Sequence, residues 1–333
     1  MISKKQTQLT DRFNRQVNYL RISVTDRCNL RCRYCAPSMP KPVERHNQLR
    51  FSEMRRLARI SKGIGITKVR LTGGEPLCRK GVVAFIEELS RVQGLQDISL
   101  TTNGTLLAKK ARRLKDAGLN RINISLDTLD RRKYHQLTGA DLLNTVWNGI
   151  EAAASIGFDP IKINVVVMKG FNDTEIEKMA RLTLTYPFHI RFIEYMPIGT
   201  DPVQSGSYFL PAAKIRKRIE QTAPLMPVSR TAMDGPAERY RFVDAPGEIG
   251  LITAMSAHFC GTCNRLRLTA NGQLRPCLLS DETVDILTPL RENACDESLA
   301  ALFWQAIRKK QNRHHMNFTR DRMLQTKMVS IGG

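Results

Sequence analysis

The chain has 333 residues, 42% of them hydrophobic, which is enough apolar material for one large domain or two smaller ones. It holds no run of 18 apolar residues, and its polar start, MISKKQTQLTDRF, lacks an apolar signal region, so we expect a cytoplasmic protein with no membrane partner. The formal charge of +21 points to an anionic partner, while the dispersion of the basic residues argues against nucleic acid.

The first expected strand covers 19–25, with Leu20, Ile22 and Val24 on one side and Arg21 and Ser23 on the other. Cys28, Cys32 and Cys35 follow directly, spaced CxxxCxxC. Three thiols on a loop after a strand can converge on one metal. A structural zinc would need a fourth ligand, such as His46. A cubane iron–sulfur cluster held by three thiolates keeps one iron open to a substrate-like ligand. Further strands are expected at 67–72, 97–101, 121–126, 161–168 and 189–194, with helical stretches between them. The joins at 61–71, 115–126 and 154–165 each run from a helix end through a Gly stop into a strand. Six such β/α units predict a parallel sheet.

The strand alternation chooses the architecture. Lys68 and Arg70, Thr101, Ser125, Lys162 and Arg191 fall on the polar side of their strands, opposite aliphatic residues. A doubly wound sheet is covered on both faces and would be apolar throughout. A partial (β/α)6 TIM-type barrel covers only the outer face, which leaves the polar face to a wet lumen. Residues 10–230 are expected to form this barrel, and 231–333 a smaller C-terminal layer. The Pro-, Gly- and Ser-rich stretch 200–250 reads as linker around one helix near 211–221. Then come Cys260, Cys263 and Cys277, with a hairpin turn expected at Asn271-Gly272, and an amphipathic helix near 297–310. Cys78 and Cys295 fit neither pattern, and His314 and His315 read as a solvated helix end.

Cys28–Cys35, with Tyr34 before the last cysteine, together with Gly73-Gly74-Glu75-Pro76 after the second strand, resembles the radical S-adenosylmethionine superfamily. The stretch FCGTCNRLRLTANGQLRPCL (259–278) and the ending MVSIGG are similar to the GTP 3',8-cyclases that open molybdenum cofactor synthesis. The resemblance spans about residue 10 to 333. It implies two [4Fe-4S] clusters, one on Cys28, Cys32 and Cys35 and one on Cys260, Cys263 and Cys277. It implies S-adenosylmethionine at Tyr34, Gly74, Ser125 and Met196. GTP is expected at Arg21, Arg70, Thr101, Lys162, Arg265 and Arg267, to which Lys68, Arg191 and Leu266 are added. Arg265, Arg267, Gly332 and Gly333 are expected to serve catalysis. The implied partners are an electron donor of flavodoxin or ferredoxin type and the next enzyme, cyclic pyranopterin monophosphate synthase; a homodimer is allowed. Two rivals remain at this point. One is a radical enzyme that modifies a peptide, which would need further cluster cysteines. The other is a basic zinc protein that binds nucleic acid.

Overall fold

The computed structural model describes residues 8–35, 43–199, 206–229, 235–319, 324 and 326–332. Strands β1 (Tyr19–Ser23), β2 (Lys68–Thr72), β3 (Asp97–Thr102), β4 (Arg121–Ser125), β5 (Ile161–Val167) and β6 (His189–Glu194) lie where the alternating runs put them. They pair in chain order, each parallel to the next. Parallel neighbours need long crossovers. These are supplied by helices α1 (Phe51–Gly63), α2 (Val82–Ser90), α3 (Ala111–Asp116), α4 (Arg131–Thr138), α5 (Leu143–Ser155) and α6 (Ile176–Thr185).

Leu20, Ile22, Val69, Leu71, Leu100, Ile122, Ile124, Ile163 and Ile190 are fully buried and join one core with Met54, Leu57, Ile86, Leu114 and Ile150 of the helices. Each such aliphatic side chain contributes about 1.5–3 kcal/mol on burial. The alternate residues of the same strands line a cavity.

Residues 200–250 differ from the expected linker. Besides α7 (Ala212–Glu220), they hold β7 (Leu225–Pro227), β8 (Glu238–Phe242) and β9 (Glu248–Ile252). Strand β9 runs parallel to β6, and β8 and β7 follow it antiparallel. At the opposite edge, β10 (Arg265–Leu268) pairs parallel with β1, and β11 (Gln273–Arg275) and β12 (Val284–Asp285) continue antiparallel. The β10–β11 turn is the hairpin expected at Asn271-Gly272; Gly272 has φ +72°, the left-handed region that favours glycine. The outcome is one 12-stranded sheet, β12-β11-β10-β1-β2-β3-β4-β5-β6-β9-β8-β7, parallel from β10 through β9. No pairing joins β12 to β7 among the described residues, so the barrel is partial. The short α8 (Leu287–Arg291) leads to α9 (Asp296–Arg308), which lies against α1 with Leu299, Phe303 and Ile307 fully buried. The chain closes on α10 (Met328–Ile331).

Candidate active site

A cavity of about 310 Å³ lies along the polar face of the sheet. Cys28, Cys32 and Cys35 line it from the loop after β1. That loop is tied to the end of α4 by Arg31 N donating to Thr138 O (2.8 Å) and Arg33 N to Leu137 O (3.0 Å). Burial pushes all three thiols up, Cys35 to about 12 with help from Cys28 and Asp127. Thiolates in such surroundings need a positive counterpart, which a metal centre supplies. Among the described residues, no group of three or more His, Cys, Asp or Glu is arranged for a single metal ion. Nor does His46 line the cavity; it sits exposed beside Glu44. Three sulfur donors, with no fourth His, Cys, Asp or Glu grouped with them among the described residues, suit a cluster that needs only three protein thiolates.

The glycine turn after β2 is built around this loop. Gly74 N donates to Thr25 O (2.7 Å) and Glu75 N to Arg27 O (2.8 Å). A Cβ on Gly74 would stand 2.6 Å from the Arg27 carbonyl carbon and 2.8 Å from Asp26 O. Glycine is therefore required here by the approach of the cysteine loop. Tyr34, Ser125 and Met196 line the same cavity as Gly74. The Tyr34 hydroxyl donates to Asp127 Oδ2 (2.9 Å), and Val166 N donates to Asp127 Oδ1 (2.8 Å). Burial raises the Asp127 carboxyl to about 6, against those two bonds.

Cations gather on the cavity face of the strands. Arg267 of β10, Arg21 of β1 and Arg70 of β2 are direct lateral partners in the sheet register. Neighbouring strands lie about 4.8 Å apart, so three like charges abreast destabilise the sheet unless an anion joins them. Burial, followed by Arg267, lowers Arg21 well below its ordinary value, with Tyr19 acting the other way. Burial and Arg265 bring Arg267 to about 10. Lys68, Lys162, Arg191 and Arg265 line the cavity as well. Arg121 is matched by the buried Asp97 carboxylate. Tyr19 Oη, Thr101 Oγ1 and Asn164 Oδ1 also face this space, and each is buried without a hydrogen-bond partner. An unsatisfied buried polar group costs about 1–3 kcal/mol, a cost that a polar ligand in the cavity would offset.

Cys260, Cys263 and Cys277 line the cavity from the β9–β10 loop and the end of β11. Burial alone would raise Cys263, but Arg265 and Lys310 outweigh it and bring the thiol down to about 6. Burial raises Cys260. Leu266 is fully buried in the core, so its side chain points away from Arg265 and Arg267, which flank it in the cavity. Arg267 Nη1 donates to Gly332 O (2.9 Å), so the chain's own tail reaches the arginine row. Gly333 lies outside the described residues. His314 is not solvated: it is buried, donates from Nε2 to Ala254 O (2.9 Å), and packs edge-on against His258. Sequence reasoning passed over Tyr19, Asn103 and Asn164 as site residues. The parity of their strands was the available signal for Tyr19 and Asn164.

The Radical SAM superfamily model matches residues 22–183, and the Molybdenum Cofactor Synthesis C model matches 188–316. The fold is shared with SuiB of Streptococcus suis bound to S-adenosylmethionine, at TM-score 0.63 and 16% identity, over 89% of this chain and 69% of that one. A second likeness is to anSMEcpe with bound AdoMet, at TM-score 0.58 and 16% identity, over 90% of this chain and 79% of that one. With the thiol loop, the glycine turn and the polar barrel, these define the class: a radical S-adenosylmethionine enzyme, which carries a [4Fe-4S] cluster. The GTP 3',8-cyclase of Moorella thermoacetica is 52% identical over 92% of this chain and 95% of its own length. That of Pelotomaculum thermopropionicum is 46% identical over 98% of this chain and 100% of its own. The chain belongs to the GTP 3',8-cyclase family.

Proposed function

We propose that this chain cyclises GTP to (8S)-3',8-cyclo-7,8-dihydroguanosine 5'-triphosphate, the first step of molybdenum cofactor synthesis, in the cavity between its two thiol sets. The observation that carries the reading is the row Arg267–Arg21–Arg70 across three adjacent strands. A triphosphate is the kind of polyanion that relieves three abreast guanidinium groups and accepts their paired N–H donors. Thr101 Oγ1 would complete a bond to the same ligand, as would Lys68, Lys162 and Arg191 from the flanking strands.

When bound, the cluster and S-adenosylmethionine supply the one-electron chemistry that opens the ribose C3'–H bond. Tyr34, Gly74, Ser125 and Met196 are assigned to hold and aim that cofactor. Cys260, Cys263 and Cys277 would hold a second [4Fe-4S] cluster, whose open iron would supply a binding point for the guanine and keep C8 near C3'. Arg265 and Arg267 stand beside it and steady charge on the closing ring. Gly332, held through Arg267, and Gly333 are assigned to catalysis with these arginines. Reducing equivalents are assigned to a flavodoxin- or ferredoxin-type donor, and the product to cyclic pyranopterin monophosphate synthase. Cluster thiolates suit a reducing compartment, which favours the cytoplasm.

Cys277→Ala tests the division of labour. It is expected to leave 5'-deoxyadenosine formation from S-adenosylmethionine largely intact while abolishing the cyclic product. Equal loss of both products would count against it.

A further inference from the structure

Two buried cations outside the substrate face bind the backbone that carries the C-terminal cysteines. Lys310, only 3% exposed, donates from Nζ to Arg265 O (2.9 Å) and Pro276 O (2.9 Å). These carbonyls belong to the residue two beyond Cys263 and the residue before Cys277. The same ammonium stands 3.7 Å from Cys263 Sγ. Arg15, 7% exposed, donates to Cys260 O (2.7 Å) and to Gln311 O (2.8 Å) and Asn312 O (3.1 Å) beside Lys310. Asp11 balances Arg15 through Nε at 2.6 Å. No carboxylate forms an ion pair with Lys310 among the described residues. Around the N-terminal thiols the surroundings are of the other sign, with Asp127 and Glu75 acting on Cys32 and Cys28.

We propose that Lys310 is a positioning residue for the second cluster: it fixes Cys263 and Cys277 in one geometry and, by donating to the Cys263 sulfur, favours the reduced state. This rests on the assignment of a cluster to Cys260, Cys263 and Cys277. A buried ammonium with two carbonyls and one sulfur around it has its charge answered only in part until that sulfur is an anionic ligand. Donors to cluster sulfurs stabilise added negative charge and so raise the potential. No helix-end solvation is involved, since the side chain turns inward from the end of α9.

The test uses the full chain, reconstituted anaerobically, as wild type, Lys310→Met and Lys310→Arg. Iron and sulfide are counted, and the reduction of the C-terminal cluster is followed by electron paramagnetic resonance against potential. About eight irons in the wild type are expected from two cubanes; about four would sink the second-cluster assignment itself, apart from any property of Lys310. Given eight, Lys310→Met is expected to keep them and shift the reduction equilibrium at least tenfold against the reduced form, about 59 mV for one electron. Lys310→Arg should restore most of that shift. Eight irons with an unmoved equilibrium in Lys310→Met would overturn the proposal. If Lys310→Met drops to four irons, recovery of eight in Lys310→Arg supports it, and four in both variants overturns it.

Discussion

At the scale of single residues, the strand-borne cations and the orphaned hydroxyls play opposite structural parts. Arginines abreast in a sheet repel one another, so their removal is expected to change the stability of the fold and ligand binding together. Thr101 is cleaner. Its Oγ1 is buried and has no partner, so the protein alone gains nothing from it. Valine has nearly the same shape. Thr101→Val is therefore expected to leave the melting temperature unchanged or slightly raised. Its KM for GTP should rise about tenfold, the loss of one bond to a charged ligand worth about 1.5 kcal/mol. A lower melting temperature with an unchanged KM would show that the hydroxyl is structural.

At the scale of elements, the glycine turn joins β2, β3 and the cysteine loop through one carboxylate. Glu75 is fully buried; Oε1 accepts from Leu77 N (2.9 Å) and Thr102 Oγ1 (2.8 Å), and Oε2 from Asn103 N (2.6 Å). Asn103 in turn places Nδ2 3.8 Å from Cys28 Sγ. A glutamine can accept on one side only, so Glu75→Gln leaves a buried N–H facing an amide NH2. We expect a loss of ~1–3 kcal/mol in denaturant unfolding. Burial, opposed by the three bonds, raises the Glu75 carboxyl from 4.5 to about 7. The folded state then binds more protons than the unfolded one, so this group's stability is full below about pH 4.5 and is lost as pH rises through about 7. The variant should lack that slope; an identical slope would remove Glu75 as its source. Much of this level was legible in the sequence. Six strands showed themselves because one face of each packs on the helices with aliphatic side chains while the other lines a polar cavity, which enforces a period of two. Strands β7 to β9 were not legible: they are three to five residues long, set among Pro and Gly, and Gly250 interrupts the alternation in β9. The cysteine sets were legible by spacing. Lys310 was not, because a lysine ending an amphipathic helix reads as solvated until the tertiary turn of its side chain is known.

At the scale of the molecule, the sheet is completed at both edges by the last third of the chain. Strand β9 covers β6, burying Ile249 and Leu251, and β10 covers β1, burying Leu266 and Leu268. A fragment ending at residue 229 keeps the six β/α units but bares the ladder edges of β1 and β6, each flanked by apolar side chains. Such edges invite pairing between copies. The +21 charge of the chain does not prevent this, since the exposed edge is backbone and core-facing aliphatic surface. The fragment is therefore expected to aggregate on expression. A fragment ending at residue 258 regains β8 and β9, and should be more soluble while still exposing β1 and lacking Cys260, Cys263 and Cys277. The full chain closes both edges. Size-exclusion chromatography of the three lengths reads the order directly. A monodisperse, cooperatively melting 229-residue fragment would show that the six-unit barrel holds itself together, and that the C-terminal strands serve the site alone.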